Sequence, residues 1–307
     1  MKEDGVMQIT GTTKNLGVMG WPIAHSLSPI IQNAAIAAAG LDYVYMALPV
    51  EPEDLEAAVI GLWVSHFRGF NVTIPHKQSI LHCLEEVDDD AAIIGAVNTV
   101  AIDENFLITG YNTDVTGFLM GLDEKSWDPQ GKNVVILGAG GAAHAVLWGL
   151  VKRGAARVTL AVRNPEKAQK IVAHFAPHVT ETELSVVDWT ASAYREVLSA
   201  ADLLVNTTPL GMLPKLDGMP PVDWEALCRE ALVYDVIYTP AETRLLREAR
   251  EHGHDIQNGE TMLVGQGAAS FELWTGMKPN LEVMRKALRQ ALEERNKKRP
   301  LVAFCIS

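Results

Sequence analysis

Ten residues near the middle of the chain restrict its fold more than any others. Val134-Val135-Ile136-Leu137-Gly138-Ala139-Gly140-Gly141-Ala142-Ala143 is an apolar strand that runs into G-x-G-x-x-A and then into a helix. Between a strand and a helix, that spacing has a mechanism. Gly138 allows the tight turn, Gly140 lets a pyrophosphate approach the backbone, and Ala143 lets the helix lie close on the sheet. The helix N-terminus offers free N–H groups and partial positive charge to the anion. The spacing predicts a dinucleotide loop made of Gly138, Ala139, Gly140, Gly141 and Ala142.

The flanking pattern repeats the strand–helix alternation. Strands are predicted at Asn133–Leu137, Arg157–Val162, Leu184–Val187, Leu203–Asn206, Val233–Ile237 and Asp255–Ile256, with helices at Ala142–Arg153 and Pro165–Phe175. This outlines a doubly wound, Rossmann-type parallel sheet. The preceding residues read differently. Strands at Leu16–Gly20, Tyr43–Pro49, Phe70–Ile74 and Ala96–Ile102 are followed by Phe106–Gly110 across the turn Asp103-Glu104-Asn105. A hairpin there makes the first sheet mixed. Ser28 is placed as an N-cap with Pro29 in the first helical turn. A chain of 307 residues accommodates two cores. The polar, Pro- and Gly-containing run 123–132 marks the boundary. The expected organisation is an α/β substrate domain of residues 1–122 plus 257–307, its C-terminal helices packing back on the first sheet. Residues 123–256 form the cofactor domain.

The tip of the second Rossmann strand selects the dinucleotide. NAD sites carry an acid there for the ribose hydroxyl. This chain has Arg163, with Lys167 one helical turn on. Two cations suit a 2′-phosphate, so NADP is the expected cofactor.

A reduced nicotinamide needs something to reduce. Reduction of a ketone leaves a developing alkoxide, which needs a proton donor or a positive charge. Gly69-Phe70-Asn71-Val72-Thr73-Ile74-Pro75-His76-Lys77 reads as a strand with polar alternates that is ended by proline and followed by a lysine. The lysine falls at the carboxyl end of the strand, the ligand edge of an open α/β sheet. Asp114, at the end of Gly110-Tyr111-Asn112-Thr113-Asp114, is an acid able to orient it.

Taken together the motifs resemble the shikimate dehydrogenase family. They are GWPIAHSLSP (20–29), NVTIPHK (71–77), GAVNTV (95–100), GYNTD (110–114), GAGGAA (138–143), NTTPLGM (206–212), YDVIY (234–238) and MLVGQG (262–267), in the family's order along nearly the whole chain. The resemblance implies reduction of 3-dehydroshikimate to shikimate with NADPH, in the pathway to chorismate and the aromatic amino acids. It implies that Lys77 and Asp114 are the catalytic pair, and that Ser26 and Ser28 bind the substrate carboxylate with Tyr238 nearby. Asn71, Thr73, Asn98 and Gln266 would bind ring hydroxyls or position the pair. Gly259 would lie near the nicotinamide, and Thr207 joins the cofactor set. Two departures stand out. Val162-Arg163-Asn164 replaces the family's Asn-Arg-Thr, and His76 fills a position that is often Phe or Tyr. The alternative is a quinate/shikimate dehydrogenase with relaxed NAD/NADP use. A ligand sensor without activity would have no reason to keep Lys77, Asp114 and the glycine loop together.

Other features exclude more than they assign. A net charge of −12 with no basic stripe argues against nucleic acid. The basic run Arg295–Arg299 is read as a solvated helix end. No apolar run reaches the roughly 20 residues of a membrane helix. The acidic, polar N-terminus is not a signal peptide, and the scattered Cys83, Cys228 and Cys305 suit a reducing compartment. The expectation is a cytoplasmic enzyme of a small-molecule substrate, compatible with a homodimer. His252-x-His254 has no third ligand in sequence, so no metal is expected.

Overall fold

The computed structural model describes residues 8–298. The apolar stretch 301–306, with Cys305, and the last residue of the basic run, Arg299, lie outside the described residues. Twelve strands form two six-stranded sheets.

The first sheet holds β1 (Lys14–Gly20), β2 (Tyr43–Pro49), β3 (Gly69–Val72), β4 (Glu86–Val87), β5 (Thr99–Ile102) and β6 (Ile108–Tyr111). Their order is β2-β1-β3-β5-β6-β4. Only β5 runs antiparallel to its neighbours. Helices α1 (Ser28–Ala39), α2 (Leu55–Val64), α3 (Asp89–Ile94) and α4 (Asp114–Glu124) accompany it. The period of two decides the faces. Leu16 and Val18 point into a core with Ile31 and Ile36 of α1, while Met19 points to the other side with Leu55 and Val59 of α2.

The second sheet holds β7 (Asn133–Leu137), β8 (Arg157–Val162), β9 (Glu183–Asp188), β10 (Leu203–Asn206), β11 (Leu232–Asp235) and β12 (Ile256–Gln257). All pairs are parallel, in the order β12-β11-β10-β7-β8-β9. This is the Rossmann order, with its switch point between β7 and β10. Helices α5 (Gly141–Lys152), α6 (Pro165–Phe175), α7 (Ala193–Ser199) and α8 (Arg244–Glu251) belong to it. The chain then returns. In α9 (Glu260–Thr275) and α10 (Leu281–Lys298), Val264, Phe271, Met284 and Leu288 bury against the first sheet and α1. No helix among the described residues is long and apolar enough to cross a membrane.

Two contacts set the sheets against each other. Helix α4 crosses α9 backbone to backbone. A Cβ at Gly117 would stand 2.3 Å from the Met262 carbonyl, and one at Gly265 would stand 3.0 Å from Gly117 Cα. Helix α3 is gripped from the second unit at both ends. Trp148 Nε1 donates to Asp90 at 2.9 Å and Lys152 pairs with Asp90 at 2.5 Å. At the other end His174 and His144 lie 2.7 and 3.2 Å from the carbonyls of Ile93 and Ile94. A carbonyl can only accept, so each ring nitrogen donates.

Several expected boundaries are corrected. Ser28 is not the N-cap. Leu27 holds that place, without a side-chain cap bond, and Ser28 is already helical. Strand β5 begins at Thr99 rather than Ala96, because the Ala96 amide closes α3 and the Val97 amide bonds to Lys77. Strand β6 begins at Ile108 because Asp103 draws the turn through residue 107, accepting from the amides of Asn105 and Leu107. Strand β3 stops at Val72, two residues before Ile74. Strand β11 stops at Asp235, whose carboxylate turns back to the Ile237 amide.

Gly117→Val drives a branched side chain into backbone, and the expected cost is about 2–4 kcal/mol by urea denaturation. Gly61→Ala sits in α2 with nothing within 4 Å of the new methyl. It is expected to stabilise by about 0.5–1 kcal/mol in the same assay.

Candidate active site

Lys77 reaches its place through a chain of local bonds. After β3 ends, the Thr73 amide donates to Met19 and the Trp21 amide to Ile74, which holds the turn against β1. His76 is buried at 1% exposure, and its Nε2 donates to the Val50 carbonyl at 2.8 Å. A ring fixed in this way anchors the turn. The Val97 amide then donates to the Lys77 carbonyl at 2.8 Å. Lys77 Nζ meets Asp114 Oδ2 at 2.5 Å.

Asp114 opens α4, where the helix dipole favours a carboxylate. Its own amide donates to Asn112 Oδ1, so capping does not occupy its carboxylate. The second carboxylate oxygen accepts from Asn98 Nδ2 at 2.8 Å. Asn98 is held in turn, because its Oδ1 accepts from the Thr113 amide at 2.7 Å and from the hydroxyls of Thr99 and Thr113. Asn71 lies deeper. Its Nδ2 reaches the Asn98 carbonyl, Thr99 Oγ1 and Ser270 Oγ, and its Oδ1 accepts from Tyr45 at 2.6 Å. Burial pushes the Tyr45 hydroxyl well above its ordinary pKa, so it stays a donor. The polar atoms of Asn71 are thus satisfied by protein. Tyr45, Thr113 and Ser270 complete this cage, and no motif spacing points to them. A buried tyrosine on a strand is the one visible signal, since its hydroxyl needs a partner.

A cavity of about 280 Å³ opens over the pair. Ser26, Ser28, Asn71, Thr73, Lys77, Asn98 and Asp114 line it from the first unit, and Tyr238, Gly259 and Gln266 complete the lining. Ala142 of the glycine loop contributes to the wall, as does Met262, which no expectation named. Ser28, free of capping, lies one residue beyond Leu27 with its amide 3.3 Å from Ser26 Oγ. One N–H of Gln266 Nε2 donates to the Leu263 carbonyl at 2.9 Å, which leaves the other N–H and the amide oxygen for the cavity. Gly259 admits no side chain there, because a Cβ would stand 2.0 Å from the Val236 carbonyl. The remaining expected residues, Gly138, Ala139, Gly140, Gly141, Arg163, Lys167 and Thr207, lie outside this cavity.

The glycine loop fits a dinucleotide. Gly138 has φ +110°, and a Cβ there would stand 2.9 Å from Thr207 Oγ1. At Gly140 and Gly141 a Cβ would meet nothing within 4 Å, which leaves open space over the loop. Gly140 caps α5 without a side-chain bond, so the helix end is free for an anion. Thr207 is buried under the turn with its hydroxyl committed to the Leu137 carbonyl at 2.9 Å. It therefore supports the turn from below. Arg163 and Lys167 are exposed beyond β8 and form no ion pair among the described residues.

Comparison with known proteins agrees with this geometry. The family description "Shikimate dehydrogenase substrate binding domain" matches residues 18–100, and "Shikimate 5'-dehydrogenase C-terminal domain" matches 259–289. Residues 134–210 match "Saccharopine dehydrogenase NADP binding domain". The shikimate dehydrogenase (NADP(+)) of Moorella thermoacetica is 44% identical, over 94% of this chain and 96% of its own. The chain belongs to the shikimate dehydrogenase family. Within it, a solved shikimate dehydrogenase in complex with NADP+ is 41% identical with a TM-score of 0.84, covering 93% of this chain and 98% of its own. The family's enzyme from Listeria monocytogenes, solved with shikimate and NAD, is 34% identical with a TM-score of 0.88, covering 92% and 99%.

Asn98→Ala removes the clamp on Asp114 and leaves the buried Thr113 amide without its acceptor. The expected loss is about 1–3 kcal/mol of stability, together with a fall in kcat, read by denaturation and by steady-state assay.

Proposed function

We propose that this chain is a shikimate dehydrogenase that reversibly reduces 3-dehydroshikimate to shikimate with NADPH. The observation that carries the reading is the ammonium–carboxylate pair of Lys77 and Asp114, clamped by Asn98 in a polar cavity beside a dinucleotide loop. Hydroxyl and amide side chains on the wall suit a small polyol acid and would leave an apolar substrate unmatched.

NADPH, when bound, supplies the hydride to the C3 carbonyl carbon. Lys77 stabilises the negative charge that develops on the carbonyl oxygen and gives it a proton. Asp114 holds the ammonium in place and accepts from a neighbouring ring hydroxyl. Asn98 keeps Asp114 oriented, and Thr73 and Gln266 take further hydroxyls. Ser26, Ser28 and Tyr238 receive the carboxylate. Gly138–Ala142 cradle the pyrophosphate, and Arg163 with Lys167 reads the 2′-phosphate. Residues 1–122 and those from 257 onward act as the substrate unit, and 123–256 as the cofactor unit.

Lys77→Ala is expected to lower kcat by roughly 10²–10⁴ with a smaller change in KM, followed by absorbance at 340 nm during shikimate oxidation. Retention of kcat sinks the assignment. Arg163→Ala is expected to raise KM for NADP+ about tenfold and to leave KM for NAD+ within about twofold, since only the phosphate contact is lost. An equal change for both cofactors removes Arg163 from phosphate recognition.

A further inference from the structure

The cavity wall poses an electrostatic problem. Among the described residues, Lys77 is the only lysine or arginine that lines it, and its charge is taken by Asp114. The opposite end, with Ser26, Ser28 and Tyr238, carries no full positive charge on its surface. The protein as a whole bears −12, a field that opposes the approach of an anion.

A cation stands directly behind that end. Arg295, near the end of α10, donates from Nη1 to the His25 carbonyl at 2.8 Å, and its Nη2 lies 3.5 Å from the Ser26 carbonyl. These carbonyls belong to the loop that presents Ser26 and Ser28. Ile23 and Leu27 of that loop are buried in the core. Between them the Ser26 amide turns back to Ile23 and the Ser28 amide to Ser26 Oγ, and Arg295 is the side chain that takes the His25 and Ser26 carbonyls. The arginine is itself well based. Met284, Leu288 and Ala291 of α10 are buried in the core with α1, and Arg285 and Arg289 pair with Glu124 and Glu260. Arg295 forms no ion pair among the described residues, so its charge is not cancelled locally. That charge reaches the wall: burial raises the pKa of the Tyr238 hydroxyl, and Arg295 opposes the rise.

We propose that Arg295 is a positioning residue for the acid-binding end of the cavity, orienting the Ser26–Ser28 loop from behind and supplying the positive charge that draws the substrate carboxylate. The inference rests on the functional reading given above and goes beyond it, since Arg295 touches neither substrate nor cofactor. Arg295 is exposed, as a solvated helix end would be, and its guanidinium bonds to the loop from the surface.

The test compares the full-length protein with Arg295→Gln, which keeps a donor but loses the charge, and Arg295→Lys, which keeps the charge. KM and kcat are measured for shikimate and for its neutral methyl ester, with NADP+ saturating. Arg295→Gln is expected to raise KM for shikimate about fivefold, as a charge at this range in a partly solvated site would. Its kcat and its KM for NADP+ stay within about twofold, the ester KM hardly changes, and added salt narrows the gap. Arg295→Lys is expected to stay within about twofold of wild type for shikimate. Unchanged KM for shikimate in Arg295→Gln, or equal losses for acid and ester, overturns the proposal. Wild-type turnover of shikimate is the control: its absence overturns the functional reading and this inference with it, while wild-type turnover beside unaltered Arg295→Gln kinetics overturns the inference alone.

Discussion

The chemistry of the cavity depends on one ammonium–carboxylate contact, and that contact is not strong enough to hold itself. A partly exposed ion pair of this kind contributes roughly 0–1 kcal/mol. Lys77, in a turn, and Asp114, at the start of α4, are also 37 residues apart. Their geometry is therefore imposed from outside. One bond from the Val97 amide fixes the lysine backbone, and one side chain, Asn98, fixes the carboxylate. Both residues belong to the short connection between α3 and β5. A few residues of extended chain thus set the position of acid and base together, and the Thr99–Thr113–Ser270 hydroxyls beneath keep that connection from shifting.

The same economy appears in the cavity walls. The parallel strands β3 and β11 bring residues after their carboxyl ends to the cavity, as open α/β sheets require of their ligands, and the antiparallel β5 brings Asn98 at its amino end. Residues that fold the chain and residues that meet the ligand are adjacent, often consecutive. Leu27 and Val72 are buried in the core and also touch the cavity, while their neighbours Ser26, Ser28 and Thr73 supply its polar wall. Period-two alternation and the first turn of a helix each bury one side of a short segment and expose the other, so the ligand surface needs no elements of its own.

Much of this could be read before any coordinates. The glycine loop, the parallel repeat and the position of Lys77 after a terminated strand follow from local spacing, and each of those residues acts where its neighbours in sequence put it. The cage around Asn98 could not be read in that way. Asn71, Thr99 and Ser270 meet through three different elements, and nothing in the spacing of Ser270 within α9 separates it from a surface serine. The helix start was misjudged for a related reason. Serine before proline is the usual cap, but here the turn closed by the Ser26 amide on Ile23 brings Leu27 to that position. The contact of Arg295 with the Ser26–Ser28 loop left no mark in the sequence, since a run of charges does not say which member bonds to a neighbouring loop.

The crossing of α4 over α9 carries a mechanical implication. The chain passes between the two sheets twice, leaving α4 toward β7 and returning from β12 into α9. Both passages therefore abut the same crossing, where Gly117 and Gly265 bring the two backbones together with no side chain between them. Interlocked at that depth, the helices cannot slide past each other without losing the contact. Held in that way, α4 and α9 form one block beside both passages, and the lysine–aspartate pair is seated on it at the head of α4.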